Sequence, residues 1–249
     1  MQLLTALERA VPCAVALAAC VAVAAAADDD RHAEDRARMI QTIETHAQSA
    51  TGALGRDYID PRVLAVMNEV PRHEFVSAWH RDDAYDDRPL PIGHGQTISQ
   101  PFIVALMTDM LEVGPDDVVL EVGTGSGYQA AVLAHLVQDV HTIEIIPALA
   151  GAAEERLGRL GYDDVRTYTG DGYYGRREAA PFDAIVVTAA ANQVPPPLIQ
   201  QLEPGGRMVI PVGGGFALQH LMLVEKDADG RVRTRQTLPV RFVPLTRGP

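Results

Sequence analysis

A glycine-rich turn between an apolar segment and a helical segment most strongly constrains the fold of this 249-residue chain. The apolar run Val118–Val122 has the length of a buried strand, and residues 123–128 read Gly-Thr-Gly-Ser-Gly-Tyr. A helix is predicted over residues 129–137. Glycines let the backbone turn tightly beside a ligand, and the free N–H groups at a helix start suit an anionic group. The segment therefore predicts a ligand-binding strand–loop–helix unit.

Strands and helices alternate after this turn. Further strands are predicted at 141–145, 165–168, 184–188, 207–211, 221–225 and 232–238, and further helices at 149–160 and 197–202. Such alternation implies right-handed crossovers and a parallel sheet covered on both faces, whereas a turn at 227–230 predicts a C-terminal antiparallel hairpin. The predicted fold class is α/β, with a doubly wound, mostly parallel, seven-stranded Rossmann-like sheet.

The N-terminal half of the chain has a different pattern. Residues 28–50 are compatible with a helix, Asp60-Pro61 begins a second helix that Pro71 ends, and residues 102–111 form a third. Residues 81–100 are rich in Asp, Gly, Pro and His and are predicted to form an ordered loop. Trp79, the single tryptophan, is expected to pack in the core.

Residues 1–27 have the pattern of an export leader. An apolar Ala- and Val-rich run follows Arg9 and ends in four alanines before three aspartates. This predicts a cleavable signal peptide or, at Cys20, a lipoprotein processing site with a lipid anchor. We therefore expect an exported, periplasmic protein. The alternative is a mis-assigned start, in which case the protein is cytoplasmic.

Two acids and the glycine spacing indicate the ligand. Glu144 ends the second predicted strand and suits ribose hydroxyls, while Asp171 ends the third and suits an adenine amino group. Each acid alone would be a solvated loop carboxylate, but together with Glu121 they flank the glycine turn. The G-x-G-x-G spacing differs from the G-x-G-x-x-G of dinucleotide sites and favours S-adenosylmethionine. A nicotinamide-dependent dehydrogenase is the less favoured alternative.

Composition disfavours several other classes. The net charge is −12 and the chain has no basic cluster, so nucleic-acid binding is not expected. Both cysteines lie in the first 20 residues, so the remainder has no thiol nucleophile or cysteine metal site, and no metal is predicted.

Several motifs together resemble one family, the protein-L-isoaspartate O-methyltransferases, from about residue 58 to 247. The most specific is Gly-Gln-Thr-Ile-Ser-Gln-Pro at residues 95–101, whereas the glycine turn is common to many methyltransferases. The stretches that carry the resemblance are 71–76, 84–85, 91–101, 121–128, 170–172, 181–185, 204–213 and 240–245.

The resemblance implies a class I S-adenosylmethionine-dependent methyltransferase that repairs proteins. It would methylate the α-carboxylate of L-isoaspartyl residues in damaged proteins and peptides, and the methyl ester would then close to a succinimide that partly reopens to aspartate. The chain would work as a monomer. It would comprise the leader 1–27, N-terminal helices with the active-site loop in 28–110, and the S-adenosylmethionine-binding core in 111–249.

The resemblance also implies roles for individual residues. Thr97 and Ser99 would lie at the catalytic site; without the resemblance, capping of the helix that starts at Pro101 would be their expected role. The residues expected to bind S-adenosylmethionine are Glu121, Gly123, Thr124, Gly125, Ser126, Gly127, Glu144, Asp171 and Gly172. The residues expected to line the substrate groove are Ala189, Ala190, Pro211, Val212 and Gly213.

Two alternative functions remain open. One is methylation of another carboxylate, such as a modified peptide precursor or a small acid. The other is an exported, non-catalytic protein that binds damaged aspartyl sites, because S-adenosylmethionine is a cytoplasmic metabolite.

Overall fold

A computed structural model describes residues 32–214 and 218–248 of the chain. The predicted leader, including Cys20, lies outside the described residues. The chain divides into two compact units after Arg38, and the second unit contains every element from α2 onward. No helix in the described ranges is long and apolar enough to cross a membrane.

Two of the first three helices were expected from the sequence. Helix α1 includes residues 32–49 and α3 is Pro61–Glu69, whereas the short helix α2 (Thr51–Leu54) was not predicted. Helix α3 starts where predicted because Pro61 occupies its first turn and the Asp60 carboxylate accepts a hydrogen bond from the Arg62 N–H, 2.8 Å away. Two short 3₁₀ turns follow, at Arg72–Phe75 and Ala78–His80.

The segment predicted as a loop at 81–100 contains a β-hairpin, so that prediction was wrong in part. Strand β1 (Leu90–Gly93) pairs antiparallel with β2 (Gln96–Ile98). The turn needs positive φ angles at Gly93, His94 and Gly95, with values of 93°, 53° and 72°. Strands this short and rich in glycine and proline have no clear alternation to reveal them.

The central sheet has seven strands, in the order β5-β4-β3-β6-β7-β8-β9. The first five are parallel and the last two form the predicted antiparallel hairpin. The strands are β3 (Val118–Val122), β4 (Asp139–Glu144), β5 (Val165–Thr169), β6 (Phe182–Val187), β7 (Leu202–Val212), β8 (Gln219–Lys226) and β9 (Val232–Val240). The helices are α4 (Pro101–Leu111), α5 (Tyr128–Ala134), α6 (Pro147–Arg159) and α7 (Pro196–Gln201). The predicted fold class is confirmed.

Two apolar clusters sandwich the sheet. The larger includes residues of α3, α4 and α5, and the smaller packs α7 against the opposite face. Trp79 belongs to neither, because its side chain is 93% exposed, so the prediction that it packs in the core was wrong. The one-turn helix Ala78–His80 buries none of its residues, while Phe75 just before it fills the core.

The strand order places a topological switch point between β3 and β6. From β3 the chain crosses to β4 and β5 on one side, and then returns to β6 on the other side. Loops that follow the carboxyl ends of two such strands diverge and leave a crevice, which is where open α/β sheets bind ligands.

Candidate active site

The switch point brings Gly123, after β3, against Thr188, after β6. The Thr188 hydroxyl donates to the Gly123 carbonyl, 2.7 Å away. Gly123 has a φ of 101°, and a Cβ there would collide with the Thr188 hydroxyl, so this position requires glycine. Thr188 was not among the predicted site residues. Its place at a strand end beside the switch point was the signal that could have identified it.

Three adjoining cavities surround this point. The first, which we call the loop cavity, lies between the glycine turn, the end of β4, Gly172 and residues 243–246. The second, the inner pocket, lies against Glu121, Tyr128 and Ser99. The third, the groove, is open to solvent and has a volume of about 460 Å³. Thr97 and Thr188 line all three, so the cavities meet at these two hydroxyls.

Glu144 ties the glycine turn to the end of β4. Its carboxylate accepts hydrogen bonds from the Gly125 N–H at 2.9 Å and from the Ile146 N–H at 3.0 Å, and the side chain lines the loop cavity. Each carboxylate oxygen retains a lone pair, so the group can still accept from a ligand's hydroxyls. This is the arrangement expected for a ribose-binding acid.

Asp171 is engaged by the C-terminal segment of the chain. Its carboxylate accepts from the Tyr173 N–H at 3.0 Å, from Arg247 Nε at 3.0 Å and from the Gly248 N–H at 3.1 Å. Burial alone would raise the pKa of Asp171, but these hydrogen bonds and the Arg247 charge lower it. Its neighbour Gly172 lines the loop cavity, whereas the Asp171 carboxylate faces Arg247.

Glu121 is a fully buried carboxyl group with one unused oxygen. Its Oε2 accepts from the Thr142 hydroxyl at 2.5 Å, and Thr142 contacts the Thr124 hydroxyl at 2.7 Å. Its Oε1 has no hydrogen-bond partner in the described part of the chain. Burial raises the pKa of Glu121 to about 8. The hydrogen bond from Thr142 lowers this pKa by a smaller amount, and the negative charge of Glu144 raises it further. An orphaned buried oxygen is costly and indicates a place for a ligand's donor group.

The other residues of the turn line the inner pocket or contact helix α6. Thr124 and Ser126 are buried and line the inner pocket. Gly127 has a φ of 88° at the start of α5 and packs against Leu157. Arg156 Nη1 donates to the Ser126 carbonyl at 2.9 Å and so braces the turn from α6.

Thr97 and Ser99 do not cap α4, so the capping alternative is wrong. The residue before this helix is Gln100, and it makes no side-chain capping bond. Asp87 supplies that bond instead, because its carboxylate accepts from the Phe102 N–H at 2.8 Å. In the described part of the chain, neither the Thr97 nor the Ser99 hydroxyl has a hydrogen-bond partner. Both hydroxyls line the groove and the inner pocket and are available to a ligand.

The groove beside Ser99 is built by residues that the sequence did not single out. Its walls come from Pro89, Ile103, Leu218 and residues 239–243. Of the predicted substrate residues, Ala189 lines the loop cavity, and the Ala190 N–H donates to the Val243 carbonyl at 2.8 Å. Residues 211–213 hydrogen-bond to Ala191, through the Pro211 carbonyl and the Gly213 N–H, and line none of the three cavities. A substrate role for these five residues stays a prediction.

Comparison with known proteins decides the family. A family model described as protein-L-isoaspartate(D-aspartate) O-methyltransferase matches residues 54–249. The chain belongs to this family. Protein-L-isoaspartate O-methyltransferase 2 of Syntrophobacter fumaroxidans is 63% identical over 90% of the chain and 91% of its own length. Protein-L-isoaspartate O-methyltransferase 1 of Cupriavidus necator is 59% identical over 98% of the chain and 90% of its own length.

Solved structures of protein-L-isoaspartate O-methyltransferases share the fold. One aligns with a TM-score of 0.74 and 28% identity over 84% of the chain, and the chain spans 65% of that protein's length. A Plasmodium falciparum chain assigned to the same family, solved with S-adenosyl-L-homocysteine, aligns with a TM-score of 0.70 and 24% identity over 85% of this chain. Family membership confirms the predicted S-adenosylmethionine dependence and the class of reaction, a protein-repair methyl transfer.

No metal site accompanies these cavities in the described ranges, where no cluster of three or more His, Cys, Asp or Glu side chains could hold an ion.

Proposed function

We propose that this protein methylates the α-carboxylate of L-isoaspartyl residues in damaged proteins, at the point where the loop cavity meets the groove. The observation that carries the proposal is the position of Thr97, whose free hydroxyl lines both cavities. Ser99 lines the groove beside it. The loop cavity then holds the methyl donor and the groove holds the peptide, so that methyl transfer occurs across their junction.

The loop cavity and the inner pocket present polar groups that suit S-adenosylmethionine. The glycine turn leaves room for close approach of the nucleoside, and Glu144 retains acceptor capacity for ribose hydroxyls. The orphaned Oε1 of Glu121 matches the ammonium group of the methionine moiety. Gly172 lines the same cavity, and a Cβ at that position would collide with Val122, so the turn after β5 requires glycine there.

The reaction needs orientation more than acid–base catalysis. When bound, S-adenosylmethionine supplies an electrophilic methyl group on a sulfonium. The isoaspartyl carboxylate is ionised at neutral pH, so the protein needs no general base. The Ser99 and Thr97 hydroxyls donate to this carboxylate and hold it in line. Because the transfer neutralises two opposite charges, the buried walls around Tyr128 and Glu121 favour it by excluding water.

The charge of Glu121 is compensated in the productive complex. An ionised Glu121 without a cationic partner would repel a substrate carboxylate beside Ser99. Its pKa of about 8 disfavours the charged form in the ligand-free chain, and the ammonium of bound S-adenosylmethionine would offset the negative charge once it forms.

Methyl transfer by the full chain tests the proposal. Radiolabelled S-adenosylmethionine is incubated with an isoaspartyl peptide and its normal aspartyl twin, and labelling of the isoaspartyl peptide alone is expected. Equal labelling of both peptides indicates a methyltransferase for another carboxylate. Binding of S-adenosylmethionine without labelling of either peptide supports the non-catalytic binder.

We also propose that the protein is exported as a monomer that does not bind nucleic acid. The apolar segment ahead of Asp28 supports export, and the net charge of −12 disfavours nucleic-acid contact. Fusion of residues 1–31 to a reporter that is active only outside the cytoplasm tests export, and an inactive reporter would place the protein in the cytoplasm beside its methyl donor. A Cys20→Ser variant that loses membrane association would identify the lipid anchor.

A further inference from the structure

Arg72 is a fully buried guanidinium directly behind Ser99. It starts the 3₁₀ turn Arg72–Phe75 and has no exposed surface. Its Nη2 donates to the Ser99 carbonyl at 2.7 Å, and its Nε donates to the Ala84 carbonyl at 2.7 Å. One side chain therefore fixes the backbone of the residue whose hydroxyl faces the groove.

No carboxylate pairs directly with Arg72. Within the described residues none lies in ion-pair contact with it, although the charge of Asp87 favours the charged guanidinium from farther away, and its Nη1 has no hydrogen-bond partner. The guanidinium lies over the Tyr128 ring, 4.8 Å from its centroid, which offsets part of the desolvation cost. Burial lowers the pKa of Arg72. A buried cation without a paired anion is expensive, and an apolar side chain would fill the space at lower cost.

The missing anion can come from the substrate. The groove and the inner pocket both reach Ser99, and Tyr128, over which Arg72 lies, lines the inner pocket. A carboxylate that accepts a hydrogen bond from the Ser99 hydroxyl would lie on the other side of the Ser99 backbone from the guanidinium. Because the protein between them has a low dielectric constant, it would screen the Arg72 charge only weakly at the position of this carboxylate.

We propose that Arg72 is a positioning residue for the substrate carboxylate. It acts through Ser99, by fixing the Ser99 backbone, and through its field, which favours an anion at the Ser99 hydroxyl. This inference rests on the proposed function, because it takes the isoaspartyl carboxylate as the group that Ser99 receives. It predicts that Arg72 governs peptide binding and not the binding of S-adenosylmethionine.

Arg156 offers a matched comparison on the other side of the site. It also donates to a backbone carbonyl, from a half-buried position, but that carbonyl belongs to Ser126 in the glycine turn. Burial lowers the pKa of Arg156 as well. The two arginines therefore share their chemistry and differ in which ligand they face.

The experiment compares Arg72→Lys with Arg156→Lys in the full chain. We expect Arg72→Lys to raise the KM for an isoaspartyl peptide by roughly tenfold with less than about twofold change in the Kd for S-adenosylmethionine, and Arg156→Lys to show the reverse. Equal changes in both constants for Arg72→Lys would overturn the proposal. If Arg72→Lys does not bind S-adenosylmethionine, Arg72→Gln replaces it, and loss of binding in both variants would assign Arg72 a purely structural role.

A double-mutant cycle tests the route through Ser99. If Arg72 acts through the Ser99 hydroxyl, Arg72→Lys should raise the peptide KM much less in a Ser99→Ala background than in the native chain. Additive effects would overturn this route. Failure of the proposed function is distinguishable, because the native chain would then not label the isoaspartyl peptide at all.

Discussion

Arg247 Nε lies 3.0 Å from the Asp171 carboxylate, and the guanidinium carbon lies 3.6 Å from the centroid of the Tyr173 ring. The pair fastens residues 244–248 across the end of the sheet, and residues 243–246 line the loop cavity. The carboxylate predicted to contact adenine is therefore engaged by the C-terminal segment of the chain itself. This segment closes one side of the loop cavity.

Variants of Arg247 and Asp171 distinguish two roles of Asp171: direct contact with the ligand, and attachment of the C-terminal segment through Arg247. We expect Arg247→Ala to speed dissociation of S-adenosyl-L-homocysteine several-fold, because the C-terminal segment loses its attachment. Asp171→Ala should weaken equilibrium binding by roughly tenfold or more, since it removes both the attachment and the acceptor near Gly172. Stopped-flow release and calorimetry measure the two quantities. Equal effects of the two variants would leave Asp171 with no role beyond holding Arg247.

Ser99→Ala tests the catalytic hydroxyl. We expect turnover to fall roughly tenfold or more with little change in affinity for S-adenosylmethionine, because the hydroxyl contacts only the substrate. The melting temperature should stay constant, since Ser99 does not cap α4. Ser77→Ala, at an exposed serine that makes no capping bond, is the control and should keep full activity. Unchanged turnover in Ser99→Ala would remove Ser99 from the catalytic site.

Asp87→Ala tests the residue that supplies the cap. Its carboxylate accepts from the Phe102 N–H and from the Gln100 side chain, and it contacts His46 at 2.7 Å. Loss of these contacts should lower the free energy of unfolding by about 1–2 kcal/mol. Urea denaturation measures the change. An equal loss of unfolding free energy in Ser99→Ala would indicate that Ser99 caps α4.

The sequence predicted the sheet more completely than the site. Apolar runs such as Val118–Val122 and the glycine turn are local signals, and every predicted strand of the central sheet is present. Glu144 could be proposed from the sequence because it ends a strand, and it lines the loop cavity. The sequence did not reveal Thr188, Arg72 or Arg247, because each contacts a residue far away along the chain. The separation is 27 positions between Arg72 and Ser99 and 76 positions between Arg247 and Asp171. Contacts of that span depend on how the strands are ordered, which no local pattern reveals.

Arg241 tests the groove as the peptide site. Its side chain is exposed at the groove wall, and no carboxylate pairs with it in the described ranges. We expect Arg241→Glu to raise the KM for isoaspartyl peptides with acidic neighbours several-fold more than for peptides with basic neighbours. Arg233→Glu, on β9 outside the groove, is the control. Equal KM changes for both peptide types would place the peptide elsewhere.

Glu121 should make the stability of the ligand-free protein depend on pH. Its pKa is about 8 when folded and near 4.5 when unfolded. The folded state therefore binds the extra proton between these values, and its contribution to stability is complete below about pH 4.5 and is lost as the pH rises through 8. The loss over the whole range amounts to at most about 5 kcal/mol. Urea denaturation at pH 5.5 and 8.5 measures most of it.

A Glu121→Gln variant removes the titrating group and keeps the shape of the side chain. We expect its unfolding free energy to change less between pH 5.5 and 8.5 than that of the native chain, while Glu154→Gln, at an exposed site on α6, should retain the native difference. S-adenosylmethionine should release a proton from the native chain on binding at pH 7, because its ammonium favours the charged carboxylate. Calorimetry in buffers of different ionisation enthalpy detects this proton. If the native chain binds S-adenosylmethionine without releasing a proton, Glu121 does not contact the methionine moiety.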